Sequence, residues 1–276
     1  MTQEITSLRI AFIGFGEVGQ RFARDFSTKT GVSMTAFDLQ FLAGANRDGM
    51  LARTSELGVL SFPSSAEACR GAEVVVSAVT ADQTEKVAQE AAIFLRPGQI
   101  FFDVNSASPE TKRRAARAIE ARGAAYVEAA VMAAVRKPGI AVPILAGGRK
   151  AEETAARLNV LGMRITPVST EHGRASAIKL CRSIMIKGIE ALMVDCSKAV
   201  GHFGVAPEVY GSLSETFPSI DWPRLAGDMN ERVATHGVRR AAEMREAADM
   251  LLEAGFDSAL ARAVADAQER GAKVRH

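Results

Sequence analysis

The passage from Ile10 to Gly19, taken with the acid at Asp38, constrains this chain more than any other stretch. Ile10-Ala11-Phe12-Ile13 is a short apolar run of buried-strand type. It leads directly into Gly14-Phe15-Gly16-Glu17-Val18-Gly19, after which Phe22, Ala23 and Phe26 recur at helical spacing. Each glycine meets a separate steric demand. Gly14 permits the tight strand-to-helix turn, Gly16 lets a pyrophosphate approach the backbone, and Gly19 lets helix and strand pack closely. The N–H groups and positive dipole end of that helix then hold phosphates. Gly14, Phe15, Gly16, Glu17, Val18 and Gly19 are therefore expected to contact a dinucleotide. Val32 to Phe37 reads as a second strand, and Asp38 follows it about 20 residues beyond the last glycine, where a carboxylate binds a ribose 2′-hydroxyl. The same carboxylate repels a 2′-phosphate, so NAD is the expected cofactor. Arg47, nearby in sequence, would soften that preference and keeps NADP as the alternative.

A chain of 276 residues can bury a large core and suits one big or two modest domains. Lysine and arginine number 34 against 32 aspartates and glutamates, a net charge of +2. No global basic field points to nucleic acid, and the basic ending Lys273 to His276 reads as a short frayed tail. Cys69, Cys181 and Cys196 are odd in number and lack CxxC spacing. That favours a reducing compartment over a disulfide framework or structural zinc, so no metal is expected. Met1 to Ser7 carries Glu4 and no long apolar run, so no signal peptide is expected. No stretch is apolar for long enough to span a bilayer. The expectation is a cytoplasmic protein with a small-molecule substrate and neither nucleic acid nor membrane as a partner.

Along the first part of the chain, strands alternate with helices. Val74 to Val79, Ile100 to Val104, Tyr126 to Val131, Val142 to Leu145 and Ile165 to Val168 read as strands. Ser64 with Glu67, and Thr80 with Gln83, have capping-box spacing ahead of helical patterns. Pro109 sits where a first helical turn accepts proline. This order predicts an α/β fold with a Rossmann-type doubly wound, mostly parallel sheet covered on both faces. From about Glu171 the pattern changes. Ala175 to Phe203 reads as one long helix, followed by shorter helices over 207–217, 221–236, 238–254 and 257–270. We therefore expect a dinucleotide-binding domain over 1–169 and an all-helical substrate and dimerisation domain over 170–276, entered through one long interdomain helix.

Three segments fall past the carboxyl ends of strands, where a doubly wound sheet places ligands. Val79 and Thr80 are expected beside the nicotinamide, with helix capping as the other reading of Thr80. Asn105 and Ser106 offer an amide and a hydroxyl to cofactor and substrate; Ser106 or Ser108 can alternatively cap the Pro109 helix. The third segment follows Val131 and begins with Met132. On the long helix, Lys179, Arg182 and Ser183 stand at i, i+3 and i+4, and His172, Ala175 and Ser176 extend that face. A lysine whose charge is disfavoured by burial and by a neighbouring arginine can exchange a proton with a hydroxyl during hydride transfer. The ordinary alternative is a snorkelling lysine on a solvated face.

These motifs together resemble the β-hydroxyacid dehydrogenase family, which includes 3-hydroxyisobutyrate and 6-phosphogluconate dehydrogenases. GFGEVG at 14–19 matches its cofactor fingerprint. DVNSASPET from Asp103 resembles its substrate-binding segment. Gly173 and Lys179 match the approach to its catalytic lysine. The resemblance implies that Lys179 is the general acid/base of an NAD(P)-dependent dehydrogenase or reductase acting on a CH–OH group. AIKLCRSIMIKGIEAL, from Ala177, is similar to a less characterised branch with its own C-terminal helical domain. Fused helical domains of this kind pair, which implies a homodimer through that domain. Imine-reducing relatives usually lack the lysine.

Two departures bear on substrate. Met132-Ala133-Ala134 stands in place of the family's Ser-Gly-Gly loop, and Arg182 in place of an Asn three residues after the lysine. Together they suggest a bulkier, partly apolar substrate with an oxygen-rich group near Arg182, which has a bidentate fork to offer. The plain alternative for Met132 is core filling. His236 is a weaker candidate for the cleft, otherwise a helix-end histidine, and Trp222 either lines a pocket or anchors a dimer contact. The competing functions are imine or enamine reduction and a catalytically silent NAD-binding regulatory protein.

Overall fold

The computed structural model describes residues 7–43 and 45–272. The amino-terminal segment through residue 6 and the basic tail Lys273–His276 lie outside the described residues. The chain divides into two compact units, Met1–Lys179 and Leu180–His276.

The first unit is built on an eight-stranded sheet. Its strands are β1 (Leu8–Ile13), β2 (Val32–Phe37), β3 (Val59–Ser61), β4 (Val74–Ser77), β5 (Ile100–Asp103), β6 (Ala125–Val131), β7 (Pro143–Gly147) and β8 (Arg164–Ser169). Their spatial order is β3-β2-β1-β4-β5-β6-β7-β8. The chain therefore reverses direction across the sheet between β1 and β4, which is where a doubly wound sheet opens its ligand crevice. The helices are α1 (Glu17–Phe26), α2 (Arg47–Glu56), α3 (Ser65–Ala68), α4 (Thr84–Phe94), α5 (Pro109–Glu120) and α6 (Ala151–Asn159). Strands β1, β4 and β5 are apolar on both sides because both faces of the sheet are covered. Phe12, Val74, Val76 and Phe102 pack in one core, and Ala11, Val75, Phe101 and Tyr126 in the other.

Every pairing is parallel except β6 with β7, which is antiparallel. The short connection explains it: the segment between Val131 and Pro143 contains only a 3₁₀ turn, too little for a crossover helix. At the start of the next helical region, Thr80 forms no side-chain cap. A 3₁₀ turn, Ala81–Gln83, intervenes before α4. Ser64 does cap α3, its Oγ accepting from the Glu67 N–H, but it donates its hydroxyl to the Glu67 carboxylate, so the cap forms without the reciprocal bond of a full box.

The boundary between the units falls within α7 (Arg174–Phe203). The second unit contains the rest of α7 with α8 (Ala206–Thr216), α9 (Trp222–Glu253) and α10 (Ala259–Ala272). The sequence pattern predicts two helices broken near Gly237, whereas α9 runs straight through it. A Cβ on Gly237 would collide with the Gln268 backbone oxygen, and one on Gly271 would collide with Val233. These glycines are thus the contact points that let α9 and α10 lie close, and the helix tolerates Gly237 at a propensity cost of about 1 kcal/mol. Between α7, α9 and α10 runs a buried ionic layer. Lys187 Nζ meets Glu243 at 2.7 Å and donates to Ser183 Oγ at 3.0 Å. Arg240 forks onto the fully buried Glu190, and Gln268 Nε2 donates to Glu190 and to the Lys187 carbonyl. Burial pulls the Lys187 pKa below its ordinary value against the opposing pull of Glu243. Trp222 packs against Met193, Ala226 and Met229 and tilts toward Phe217, so its ring belongs to the helical core.

Candidate functional site

The glycine turn lies where β1 and β4 diverge. Gly14 has φ +87°, and a Cβ there would strike the Ala78 carbonyl at the end of β4. Gly19 faces the Gly14 oxygen at 2.7 Å from where its Cβ would be, so α1 begins pressed against the turn. Gly16 differs from both: a Cβ on it would meet nothing within 4 Å. It is also the N-cap of α1 and brings no side chain to the first-turn amides. Open space in front of uncapped helix N–H groups is what a pyrophosphate needs, so these residues fit a dinucleotide.

Asp38 sits at the tip of β2, with one oxygen accepting from Phe15 N–H at 2.7 Å and the other from Gln40 N–H at 2.9 Å. Its carboxylate is therefore locked beside the turn, with lone pairs remaining for ribose hydroxyls. The Phe15 ring is buried against Phe12 and Phe41, and Val18 packs on the core. The Glu17 side chain pairs with Arg136, so Glu17 and Val18 have their backbone to offer a phosphate. Arg47 is bound to the Phe41 carbonyl and to Asp48.

The ends of β4 and β5 are tied together by Asn105. Its Oδ1 accepts from Val79 N–H at 2.7 Å and its Nδ2 donates to Ser77 Oγ at 3.0 Å. Its own N–H donates to Asp103 Oδ1. Asn105 thus shapes the loop before it touches any ligand. Of the two serines that follow, Ser108 caps α5 by accepting from Thr111 N–H. The Ser106 hydroxyl is buried with no hydrogen-bond partner among the described residues. A buried hydroxyl left without a partner marks a place for a ligand or water.

Beneath this loop is a group that the spacing of the sequence did not single out. Lys112 Nζ meets Asp103 Oδ1 at 2.9 Å with both side chains at 1% exposure or less. Tyr126 OH donates to Asp103 Oδ2 at 2.5 Å. Burial, reinforced by the Asp103 charge, holds the Tyr126 phenol well above its ordinary pKa, so it remains a donor. The available signal was periodicity: Lys112 shares one face with Ala115, Ala116 and Ile119, all buried.

The entry to α7 closes onto the same end of the sheet. Gly173 has φ +95°, and a Cβ there would lie 2.6 Å from Arg113 Nη1 and 3.1 Å from Pro109. The His172 ring stands edge-on to Tyr126 and its Nε2 is bound to Glu120. Ala175 and Ser176 are bound by the buried Glu128. These three residues therefore anchor the helix. Lys179 follows, half-buried on α7. Farther along, Arg182 is exposed, whereas Ser183 is buried and engaged by Lys187, so the neighbours at i+3 and i+4 have different surroundings. Met132 is half-buried, with its N–H bound to the Pro143 carbonyl. His236 is exposed in an open hollow of α9 lined by Asp228, Glu231, Arg232 and Thr235. Among the described residues no cluster of three or more metal-ligating side chains occurs, and no helix is long and apolar enough to cross a membrane.

A family model for the NAD binding domain of 6-phosphogluconate dehydrogenase matches residues 9–170, more than half of the chain. The chain belongs to the β-hydroxyacid dehydrogenase family. A second model, a domain of unknown function (DUF1932), matches residues 201–271 in the helical unit of this family member. A conserved hypothetical protein from Sinorhizobium meliloti 1021 is 39% identical, with 97% of this chain and 89% of that one covered and a TM-score of 0.85. A conserved protein of unknown function, described as structurally similar to 3-hydroxyacid dehydrogenases, is 32% identical, with 96% of each chain covered and a TM-score of 0.78. The 3-hydroxyisobutyrate dehydrogenase of Pseudomonas aeruginosa is 27% identical over 77% of this chain and 71% of its own length. The first unit is accordingly the NAD(P)-binding Rossmann domain of a hydroxyacid dehydrogenase-like protein.

Proposed function

We propose that this chain interconverts a hydroxy-acid-like secondary alcohol and its carbonyl with NAD(P), using Lys179 as general acid/base. One observation carries the reading. The Gly173 turn packs on Pro109, which ends the loop bearing Asn105 and Ser106, so α7 starts beside the ligand end of the sheet. Lys179 lies six residues on, roughly 9 Å along the helix axis.

NAD(P), when bound, takes up or supplies the hydride. In oxidation, the Lys179 amine accepts the hydroxyl proton as the carbon gives up its hydride. In reduction, the ammonium returns that proton to the carbonyl oxygen. Ser106 donates its hydroxyl to a substrate oxygen, on a loop that Asn105 holds rigid. Met132 supplies apolar contact, and Arg182 is the candidate for an anionic group. Asp38, fixed in place by two backbone amides, favours NAD over NADP by repelling a 2′-phosphate.

The test is a panel of hydroxy acids and their carbonyl forms with each cofactor, alongside cyclic imines. Turnover on the hydroxy acids and tighter NADH than NADPH binding by fluorescence are expected. Ser106→Ala should lower kcat/KM about tenfold, the effect of losing one hydrogen bond of about 1.4 kcal/mol. Turnover confined to imines would reject the reading.

We also propose a homodimer through the helical unit. Met185, Leu192 and Phe203 are each more than 60% exposed and recur at spacings that place them on one side of α7. Sedimentation of the full chain should give a dimer, and a monomer at micromolar concentration would count against it.

A further inference from the structure

Glu128 is a buried ionisable group that the proposed chemistry does not use, and it is bound to the first turn of the helix that carries Lys179. It lies in the middle of β6 and is fully buried. Oε1 accepts from the Ala175 N–H at 2.9 Å, and Oε2 accepts from the Ser176 hydroxyl at 2.9 Å. A helix is ordinarily capped by a short polar side chain just ahead of it. Here the cap arrives from a strand 47 residues earlier in the chain. The neighbouring strand is shaped to admit it. Gly147 pairs opposite Glu128 across β6 and β7, and a Cβ there would lie 2.5 Å from Glu128 Oε1. Taking a carboxylate out of water is costly, and the positive end of the α7 dipole and two hydrogen bonds offset that cost.

Three further contacts act on the same turn. The His172 ring stands against Tyr126, a Cβ on Gly148 would touch that ring, and Gly173 fits against Pro109 and Arg113. Contacts on two sides leave the first turn of α7 little freedom to rotate or slide. Lys179 stands three residues after Ser176 and four after Ala175, on the helix face that Glu128 grips. A rotation of the turn would swing that side chain directly.

We propose that Glu128 is a positioning residue for Lys179: its buried carboxylate clasps the first turn of α7 to β6 and sets the height and rotation at which the lysine amine is presented. The proposal rests on the general acid/base reading of Lys179 for its effect on turnover. The clasp itself has a consequence that does not depend on turnover, the reactivity of that amine.

The experiment compares wild type with Glu128→Gln, Ser176→Ala and Ser176→Thr in the full-length chain. Trinitrophenylation of Lys179 is followed by peptide mass spectrometry, with exposed Lys86 on α4 as the internal standard. Glu128→Gln and Ser176→Ala should each change the Lys179-to-Lys86 rate ratio by about threefold or more. kcat should fall about ten- to a hundredfold, as expected for a misplaced catalytic group, while KM and the NADH Kd stay within about twofold. Ser176→Thr keeps the hydroxyl and should behave as wild type, which a purely packing role for Ser176 would not predict. If Glu128→Gln does not fold, the serine pair decides. An unchanged labelling ratio in a folded Ser176→Ala protein would overturn the clasp, as would a kcat loss that merely tracks lost NADH affinity. A wild type without turnover on any hydroxy acid would overturn the hydride-transfer reading instead, and the labelling ratio would still decide the clasp.

Discussion

Lys179→Ala should lower kcat by about 10²–10⁴-fold with NADH affinity unchanged, the range seen when a general acid/base is removed. The change leaves the glycine turn, Asp38 and the Asn105 loop intact, since each is held by contacts of its own. Loss of rate without loss of cofactor binding therefore isolates the proton transfer. Lys179→Arg sharpens the result. An arginine keeps the positive charge and cannot give up its proton at working pH. It should be nearly as slow as the alanine variant if the lysine shuttles a proton, and nearly as fast as wild type if only its charge matters. Stopped-flow binding of NADH with steady-state turnover on the best hydroxy acid provides both measurements. Near-wild-type kcat in the alanine variant would remove Lys179 from the mechanism.

Lys112→Met should destabilise the first unit by about 3–5 kcal/mol, a large share of a domain's typical 5–15 kcal/mol. The methionine fills similar volume, so the cost is electrostatic. Asp103 would keep its bonds from Tyr126 and from Asn105 N–H but lose the cation that neutralises it in a fully buried position. Adding Asp103→Asn should recover more than half of that loss, because a neutral amide needs no counterion and still accepts a hydrogen bond. Urea unfolding of wild type, both single variants and the double variant completes the cycle. A cost below about 0.5 kcal/mol for Lys112→Met, the level of an ordinary surface change, would show that the pair carries no such stability.

The two residue pairs also show how far local patterns reach. Lys112 stands in a run with Arg113 and Arg114, and its helical spacing with Ala115, Ala116 and Ile119 is the one local sign that it faces inward. Only the fold reveals that its partner there is an aspartate at the end of the preceding strand. Glu128 lies in an apolar strand, and its partners are 47 and 48 residues away. Nothing in the spacing around either acid names its partner, since such pairings are set by how elements stack.

Gly14, Gly16, Gly19 and Asp38 were legible because their demands are local: a turn, a close approach and a strand tip encoded within thirty or so residues. Strand and helix alternation up to β8 was legible for the same reason, as was the switch to helices afterwards. Ser106 and Ser108 were indistinguishable as letters, and only the loop held by Asn105 showed which one caps α5 and which is left over. Gly237 reads locally as a helix break, because its low propensity is intrinsic. The tertiary structure makes it a helix contact, because the neighbour that needs the space, α10, lies more than twenty residues further along the chain. Short-range sterics and periodicity are written in the order of residues, whereas the partner of a buried charge or the reason for a mid-helix glycine exists only once distant segments have packed.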